Sequence, residues 1–226
     1  MASIAHNLDR LRKELDGTNV KLVAVSKYHP VEMLREAYDA GQRIFGESHV
    51  QELDAKQKVL PADIEWHFIG HLQTNKVKYL APYVAMIHAV DTLKLLKEID
   101  RQAEKAERTI DCLLQVHVAQ EETKFGFLPE ELREMLNEGE WEQLTHVRIR
   151  GLMCMATNTD DEQQIHREFC EVRQLFEELK AQYFSTNEAF TELSMGMSDD
   201  YRIAIEEGST MIRVGSLIFG ERRPTP

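Results

Sequence analysis

Hydrophobic positions along the chain fall into short apolar runs that are separated by longer stretches of mixed polarity. The short runs are rich in Val, Ile, Leu and Met, and most are too short for helices. This pattern is typical of strands that are buried on both faces of a parallel sheet. The predicted strands cover eight ranges: 21–27, 43–47, 65–71, 86–91, 110–118, 149–156, 192–198 and 211–220.

Helical patterns lie between these runs. Pro30 suits the first turn of a helix, and Gly41 suits its end. Asp91 or Thr92 can cap a second helix, in which apolar residues recur at a helical spacing. The predicted helices lie at 30–41, 93–106, 165–179 and 199–208, with an additional helix at about 4–15. Two polar stretches, 119–129 and 139–146, are predicted as a long loop and a polar interruption.

Eight strands that alternate with helices allow a closed (β/α)8 barrel or a doubly wound open sheet. The dinucleotide-binding pattern G-x-G-x-x-G is missing after the first strand, where residues 26–31 read SKYHPV. A count of eight in 226 residues favours the α/β barrel, a fold of about 250 residues. Since no Pro-, Gly- or Ser-rich linker interrupts the pattern, residues 1–226 are predicted to form one domain.

Composition and charge narrow the class of protein. The chain has 27 basic and 39 acidic residues, a net charge of −12, so nucleic-acid binding is not expected. No apolar run approaches the roughly 18 residues that span a membrane, and the first residues lack the apolar segment of a secretion signal. Three cysteines, Cys112, Cys154 and Cys170, show no zinc spacing. We therefore expect reduced thiols in a cytoplasmic protein, compatible with a monomer.

The active site of such a barrel lies at the C-terminal ends of its strands. Lys27 follows the apolar residues Val23-Ala24-Val25, so its side chain should emerge where the barrel wall meets the site. Desolvation there would lower the pKa of Lys27 and provide a neutral amine for a Schiff base. The alternative is a lysine that extends from a strand end into solvent.

The ends of the seventh and eighth strands are candidates for a phosphate site, because the loops after these strands often bind phosphate in barrels. Glycine allows backbone N–H groups to approach an anion, and serine adds hydroxyl donors. The candidate residues are Ser194, Gly196, Ser198, Gly215 and Ser216. The alternative is that they only form turns and helix caps.

Arg213 precedes Gly215 by two positions, so the two share a face if the segment is a strand. A buried arginine needs partners. Arg213 could face a heteroatom of a ligand or pair with a carboxylate such as Glu47. His67 and His88 lie on predicted strands and are expected to be core or rim histidines with hydrogen-bond partners.

Several segments together resemble the pyridoxal phosphate homeostasis protein family over essentially the whole chain. They are 23–27 (VAVSK), 45–47 (FGE) with 50–52 (VQE), 67–72 (HFIGHL) with 73–76 (QTNK), 123–127 (TKFGF), 151–153 (GLM), 193–199 (LSMGMSD) and 214–220 (VGSLIFG). Each is weakly specific alone, but their common order makes the resemblance specific.

The resemblance implies a single-domain (β/α)8 barrel that carries pyridoxal 5′-phosphate (PLP), similar to the barrel of fold-type III PLP enzymes such as alanine racemase. Lys27 would form the Schiff base and Arg213 would face the pyridine nitrogen. An arginine there would disfavour protonation of that nitrogen and weaken the ring as an electron sink. The phosphate would be held by Ser194, Ser198, Gly215 and Ser216.

The sequence departs from the family after the second strand. The family usually has Gly-Glu-Asn there, whereas this chain has Gly46-Glu47-Ser48, and His49 replaces a common tyrosine. A contact of the asparagine side chain is therefore expected to be shortened, filled by water or lost.

The resemblance favours a non-catalytic carrier that buffers PLP or delivers it, with apo PLP-dependent enzymes as candidate partners. The alternative is a PLP enzyme such as an amino-acid racemase or decarboxylase. A two-base racemase needs acid–base groups on both faces of the substrate. Alanine racemase takes its second base from an added domain, whereas only residues 221–226 follow the last predicted strand here. A Schiff-base aldolase without PLP would fit Lys27 but would leave Arg213 unexplained.

Overall fold

The barrel predicted from the alternating pattern is confirmed in a computed structural model that describes residues 3–120 and 125–221. Eight parallel strands pair in chain order, and the last pairs with the first. The strands are β1 (Lys21–Val25), β2 (Ile44–Glu47), β3 (Glu65–Phe68), β4 (Met86–Val90), β5 (Ile110–Gln115), β6 (Val147–Met153), β7 (Glu192–Ser194) and β8 (Met211–Val214).

Helices connect the strands, and one precedes β1. They are α1 (Ile4–Leu15), α2 (Val31–Asp39), α3 (Val50–Gln57), α4 (Val77–Leu80), α5 (Leu93–Lys105), α6 (Pro129–Glu138), α7 (Glu162–Tyr183), α8 (Tyr201–Glu206) and α9 (Ser216–Phe219). Pro30 and Thr92 are the N-cap residues of α2 and α5, and the Thr92 hydroxyl accepts the Leu95 N–H at 3.1 Å. Among the described residues, no helix is both long and apolar enough to cross a membrane.

Several predicted strands extend too far, because apolar side chains stay buried in the loops beyond the last ladder pair. The predicted strand 192–198 ends at Ser194 in β7. The predicted strand 211–220 is wrong after Val214, since Ser216–Phe219 forms α9. There the chain leaves the barrel, and the N–H groups of Ile218 and Phe219 both donate to the Gly215 carbonyl at 2.9 Å.

Four helices go beyond those predicted: α3, α4, α6 and α9. α6 separates the two stretches predicted as a loop and a polar interruption, and it ends at Gly139, whose φ is 73°. Its buried residues Leu132, Met135 and Leu136 have the spacing of one helical face. Residues 121–124 of the predicted loop lie outside the described residues, and so does the Thr123-Lys124 part of the TKFGF segment.

The inside of the barrel is a packed core of its own. Buried side chains from five different strands form this cluster, which is separate from the larger core under the helices: Val23, Met86, Ala89, Leu113, Met153 and Met211. Packing of the interior is expected for an eight-stranded barrel, which is not a pore. Because side chains alternate along a strand, Val25 shares the inward face of Val23 and lies one layer nearer the C-terminal rim.

A bulge in β6 gives the first testable prediction. Cys112 pairs with Ile149 and Leu113 with Gly151, so Arg150 has no partner in this register. Gly151 has a φ of 150°, and a Cβ built on it would lie 1.7 Å from the Glu192 carbonyl oxygen. We expect Gly151→Ala to lower the free energy of unfolding by about 3 kcal/mol or more, as measured by urea denaturation.

Gly17→Ala is the matched control. Gly17 has a φ of 77°, but an added Cβ would meet nothing within 4 Å. Only the backbone cost of about 1 kcal/mol is expected there. Equal losses in the two variants would contradict the close approach of β6 and β7 at Gly151.

Candidate functional site

A cavity of about 250 Å³ opens at the C-terminal ends of the strands. Five of the six residues predicted for the site line it together: Lys27, Ser198, Arg213, Gly215 and Ser216. They come from the segments after β1 and β7, from β8 itself and from the turn into α9. Closure of the barrel between β1 and β8 brings these separated parts of the sequence together.

The remaining wall of the cavity is partly apolar. Val25, Ile69 and Met155 line it, and so do His29 and Ser48, the residue that stands in place of the asparagine expected from the resemblance. Met155 and Met197 line the cavity, while Met153 and Met195 are buried in the core. The position of Ile69 could not be predicted, because it lies just beyond β3 in a run that the sequence assigns to one continuous strand.

Ser194 is the predicted site residue that the structure places elsewhere. It is the last residue of β7, is fully buried and is not among the described residues that line the cavity. Its hydroxyl lies 2.7 Å from Nη1 of Arg213 and 3.0 Å from Nδ1 of His88. Ser194 therefore holds Arg213 from the buried side of the cavity wall. This position does not favour its predicted contact with a phosphate.

Arg213 crosses the barrel interior with only 3% of its surface exposed. Nη1 donates to the carbonyl and hydroxyl oxygens of Ser194 at 2.9 and 2.7 Å, and Nη2 donates to the Cys154 carbonyl at 2.9 Å. Burial lowers the pKa of Arg213, but an arginine in a protein stays charged. The alternative partner Glu47 is wrong, since Glu47 instead accepts from Ser26 and Lys56 at 2.6 and 2.7 Å.

A chain of buried polar groups continues behind the arginine. His88 Nδ1 lies next to the Ser194 hydroxyl, and His88 Nε2 lies 2.9 Å from Nδ1 of His67. Arginine can only donate, so Ser194 Oγ accepts from Arg213 and its own hydrogen can donate to His88 Nδ1. His88 Nε2 then carries a hydrogen and donates to His67. Burial keeps both imidazoles neutral: it lowers the pKa of His67 to about 3 and that of His88 well below its usual value.

The segments just beyond the ends of β7 and β8 carry hydrogen-bond donors. The Gly215 N–H donates to Ser198 Oγ at 3.3 Å, so the Ser198 hydrogen can donate to another group. Ser216 is the exposed first residue of α9, and Asp199 lies beside Ser198 in the same wall. The cavity thus offers an amine, a guanidinium and a cluster of hydroxyl and N–H donors around apolar walls.

Comparison with known proteins identifies the class of barrel to which this fold belongs. The family model of the alanine racemase N-terminal domain matches residues 1–223. The structure of alanine racemase from Clostridium difficile superposes with a TM-score of 0.77 at 13% identity, covering 99% of this chain and 57% of that one, a likeness of fold alone. The molecule is therefore a barrel of the alanine racemase N-terminal type.

Closer relatives define the family within this class. Pyridoxal phosphate homeostasis proteins of Aquifex aeolicus and Schizosaccharomyces pombe are 42% and 38% identical over 222 and 229 residues. These matches cover 96% and 98% of this chain, and 95% and 94% of the relatives. The chain belongs to the pyridoxal phosphate homeostasis protein family, which confirms the resemblance predicted from its motifs.

A protein of known structure also matches this chain closely. PipY of Synechococcus elongatus, determined with PLP bound, has a TM-score of 0.88 and 41% identity, and the match covers 96% of this chain and 100% of PipY. A second structure of PipY was solved without PLP and superposes with a TM-score of 0.89.

The buried histidines predict an acid-sensitive stability. Because the folded-state pKa of His67 is about 3, below the usual 6.5, the unfolded state takes up a proton first as the pH falls. The contribution of His67 to the free energy of unfolding is therefore complete above about pH 6.5. It is lost as the pH falls towards about 3, by up to roughly 1.4 kcal/mol per pH unit. We expect His67→Gln to reduce the slope of unfolding free energy between about pH 4 and 6 by that amount.

Urea denaturation at a series of pH values measures this slope. His6→Gln, which removes an exposed histidine of α1, is the control for losing a histidine at the surface. A slope in His67→Gln equal to that of the unmodified protein would contradict a neutral, buried His67.

Proposed function

We propose that this protein binds PLP as a Schiff base on Lys27 and acts in intracellular PLP homeostasis, as a buffer or a carrier of the cofactor. The observation that carries the proposal is the convergence of Lys27, Arg213 and the Ser198–Gly215–Ser216 donors on one cavity. The PLP-bound structure of PipY, which is 41% identical, supports the same ligand.

The residues present fit each part of PLP. The half-buried Lys27 supplies an amine, and Arg213 a donor for the ring nitrogen. The Ser198 and Ser216 hydroxyls supply donors for the phosphate, and Gly215, whose N–H donates to Ser198 Oγ, lies between them in the cavity wall. Val25, Ile69 and Met155 provide apolar walls for the ring. When bound, PLP would supply an aldehyde, which condenses with an amine to a Schiff base and one water, and Lys27 would supply that amine.

Arg213 also bears on what the protein does with its ligand. Its partners Ser194 and Cys154 are neutral acceptors, so its charge is not cancelled by them. A positive charge beside the ring nitrogen disfavours protonation of that nitrogen, and the ring is then a weaker electron sink. This favours storage of the cofactor over its use in turnover.

A non-catalytic carrier is therefore the function that we propose, with apo PLP-dependent enzymes as recipients. Support comes from the match to the homeostasis proteins, since this chain is 42% identical to the Aquifex protein and covers 95% of it. A reducing, cytoplasmic setting is part of the proposal, and it is consistent with Cys112, Cys154 and Cys170 being outside any disulfide.

Lys27→Ala tests the attachment. We expect the unmodified protein, loaded with PLP, to show a Schiff-base absorbance and to yield a PLP-labelled Lys27 peptide after borohydride reduction and mass spectrometry. Lys27→Ala should lose both signals, because no amine is left at that position. Lys58→Ala, which removes a lysine exposed on the surface, is the control. Undiminished absorbance in Lys27→Ala would remove Lys27 from the site.

Ser216→Asp tests the phosphate end. A carboxylate there should repel the phosphate and weaken PLP binding by about tenfold or more, as measured by titration with PLP. Ser185→Asp is the matched control, because this exposed serine follows α7 at the opposite end of the barrel. Equal affinity in Ser216→Asp and the unmodified protein would exclude Ser216 from phosphate binding.

Turnover distinguishes the carrier from the enzyme. The loaded protein is incubated with a panel of L-amino acids, and the products are separated by chiral chromatography. We expect no racemisation or decarboxylation above that of free PLP. Product formation that Lys27→Ala abolishes would establish a PLP enzyme instead.

A further inference from the structure

The peptide groups on both sides of Lys27 are held by two side chains of α3. Glu52 Oε1 accepts the Tyr28 N–H at 2.7 Å, and Lys56 Nζ donates to the Ser26 carbonyl at 2.8 Å. Glu52 and Lys56 are one helical turn apart and bind each other at 2.7 Å. Neither is among the described residues that line the cavity, so their contact is with the backbone that carries Lys27.

Lys56 is not an ordinary surface lysine. Its side chain is 7% exposed, and its third hydrogen bond, at 2.7 Å, goes to Glu47 Oε1. All three hydrogens of the ammonium are therefore used, which is the condition under which a buried charge is tolerated. Glu47 Oε1 also accepts from the Ser26 hydroxyl at 2.6 Å, so the residue before Lys27 is fixed at both its carbonyl and its side chain.

The backbone after Lys27 is strained. Tyr28 has a φ of 67°, a left-handed conformation that residues other than glycine rarely adopt. Its ring is 53% exposed and lies beside His49, with 3.3 Å between the hydroxyl oxygen and Nε2, so core packing does not impose this conformation. Strained residues persist where surrounding contacts hold them. The bond from the Tyr28 N–H to the Glu52 carboxylate is such a contact.

We propose that Glu52 and Lys56 are positioning residues for Lys27. They fix the Ser26 carbonyl and the Tyr28 N–H, and the sharp turn between them keeps the Lys27 amine directed into the cavity. This inference rests on the proposed attachment of PLP to Lys27. It predicts that the pair controls how much of the bound PLP is covalently attached, more than it controls how much PLP is bound in total.

The experiment compares Glu52→Gln and Glu52→Ala. Glutamine keeps an acceptor for the Tyr28 N–H but forms a weaker bond than a carboxylate, and alanine removes the acceptor. Each protein is loaded with PLP and reduced with borohydride. The fraction of PLP attached to Lys27 is measured by peptide mass spectrometry, and total bound PLP by phosphorus content before reduction. Circular dichroism establishes that each variant is folded.

Asp54→Asn is the matched control, because Asp54 and the α3 C-cap residue Lys58 form a second ion pair of the same spacing and length, with side chains that are 33% and 62% exposed. We expect the attached fraction to fall several-fold in Glu52→Ala and partly in Glu52→Gln, and to stay at the original level in Asp54→Asn. Total bound PLP should fall less, since the groups proposed to hold the phosphate are unchanged.

The positioning role would be overturned if both Glu52 variants kept the attached fraction of the unmodified protein. It would also be overturned if Asp54→Asn lost as much of the attached fraction as the Glu52 variants. If Glu52→Ala does not fold, Glu52→Gln against Asp54→Asn decides, and equal attached fractions overturn the proposal. Failure of the proposed function is a separate result, in which the unmodified protein itself carries no PLP on Lys27.

Discussion

The pairing of β1 with β8 is the contact on which the site depends. Lys21 to Ala24 pair in register with Met211 to Val214, which closes the barrel and sets Val23 opposite Arg213. With the two strands joined, Lys27 beyond the end of β1 and Gly215 beyond the end of β8 open into the same cavity. Residues nearly 190 positions apart in sequence therefore become neighbours through backbone hydrogen bonds, before any ligand is present.

Closure of the barrel also buries the charged guanidinium of Arg213, and nearby polar groups in the interior form hydrogen bonds with it. Arg213 shares the barrel with methionine, valine and leucine side chains, where an unpaired guanidinium would be costly. Neutral acceptors from β7 and from the residue after β6 accept hydrogen bonds from Nη1 and Nη2, and His88 and His67 extend the chain of hydrogen bonds. Since arginine can only donate, one orientation open to this chain runs from Arg213 through the Ser194 hydroxyl and His88 to His67. The guanidinium is thus held by neutral acceptors, and Asp200 adds an electrostatic attraction that favours its charged form.

The sequence predicts the architecture well, because a strand that is buried on both faces is an apolar run in the sequence. β1 to β8 all lie where such runs occur. It does not predict where a ladder ends. Ser194 and Ser198 belong to one motif, yet only Ser198 lies beyond β7 and lines the cavity. The motif shows which residue types are present, while the end of the hydrogen-bonded ladder decides which of them reaches the cavity.

The support around Lys27 could not be predicted for a different reason. In sequence, Glu52 and Lys56 form a pair of opposite charges spaced as on any exposed helix, like Asp54 and Lys58 beside them. Only the packing of α3 against the end of β1 distinguishes the pair whose lysine, Lys56, is buried from the pair whose lysine, Lys58, is exposed. Charge pattern carries no information on burial, so the difference between a surface ion pair and a support for the site appears only in three dimensions.

A crystal structure of the protein loaded with PLP is the most direct test of the central claim, that one cavity holds the amine, the arginine and the phosphate donors for a single ligand. The account predicts continuous density from Nζ of Lys27 to the cofactor, with the ring nitrogen at Arg213 and the phosphate at Ser198, Gly215 and Ser216. Density for PLP outside this cavity, or within it but with the phosphate at Arg213, would contradict the account.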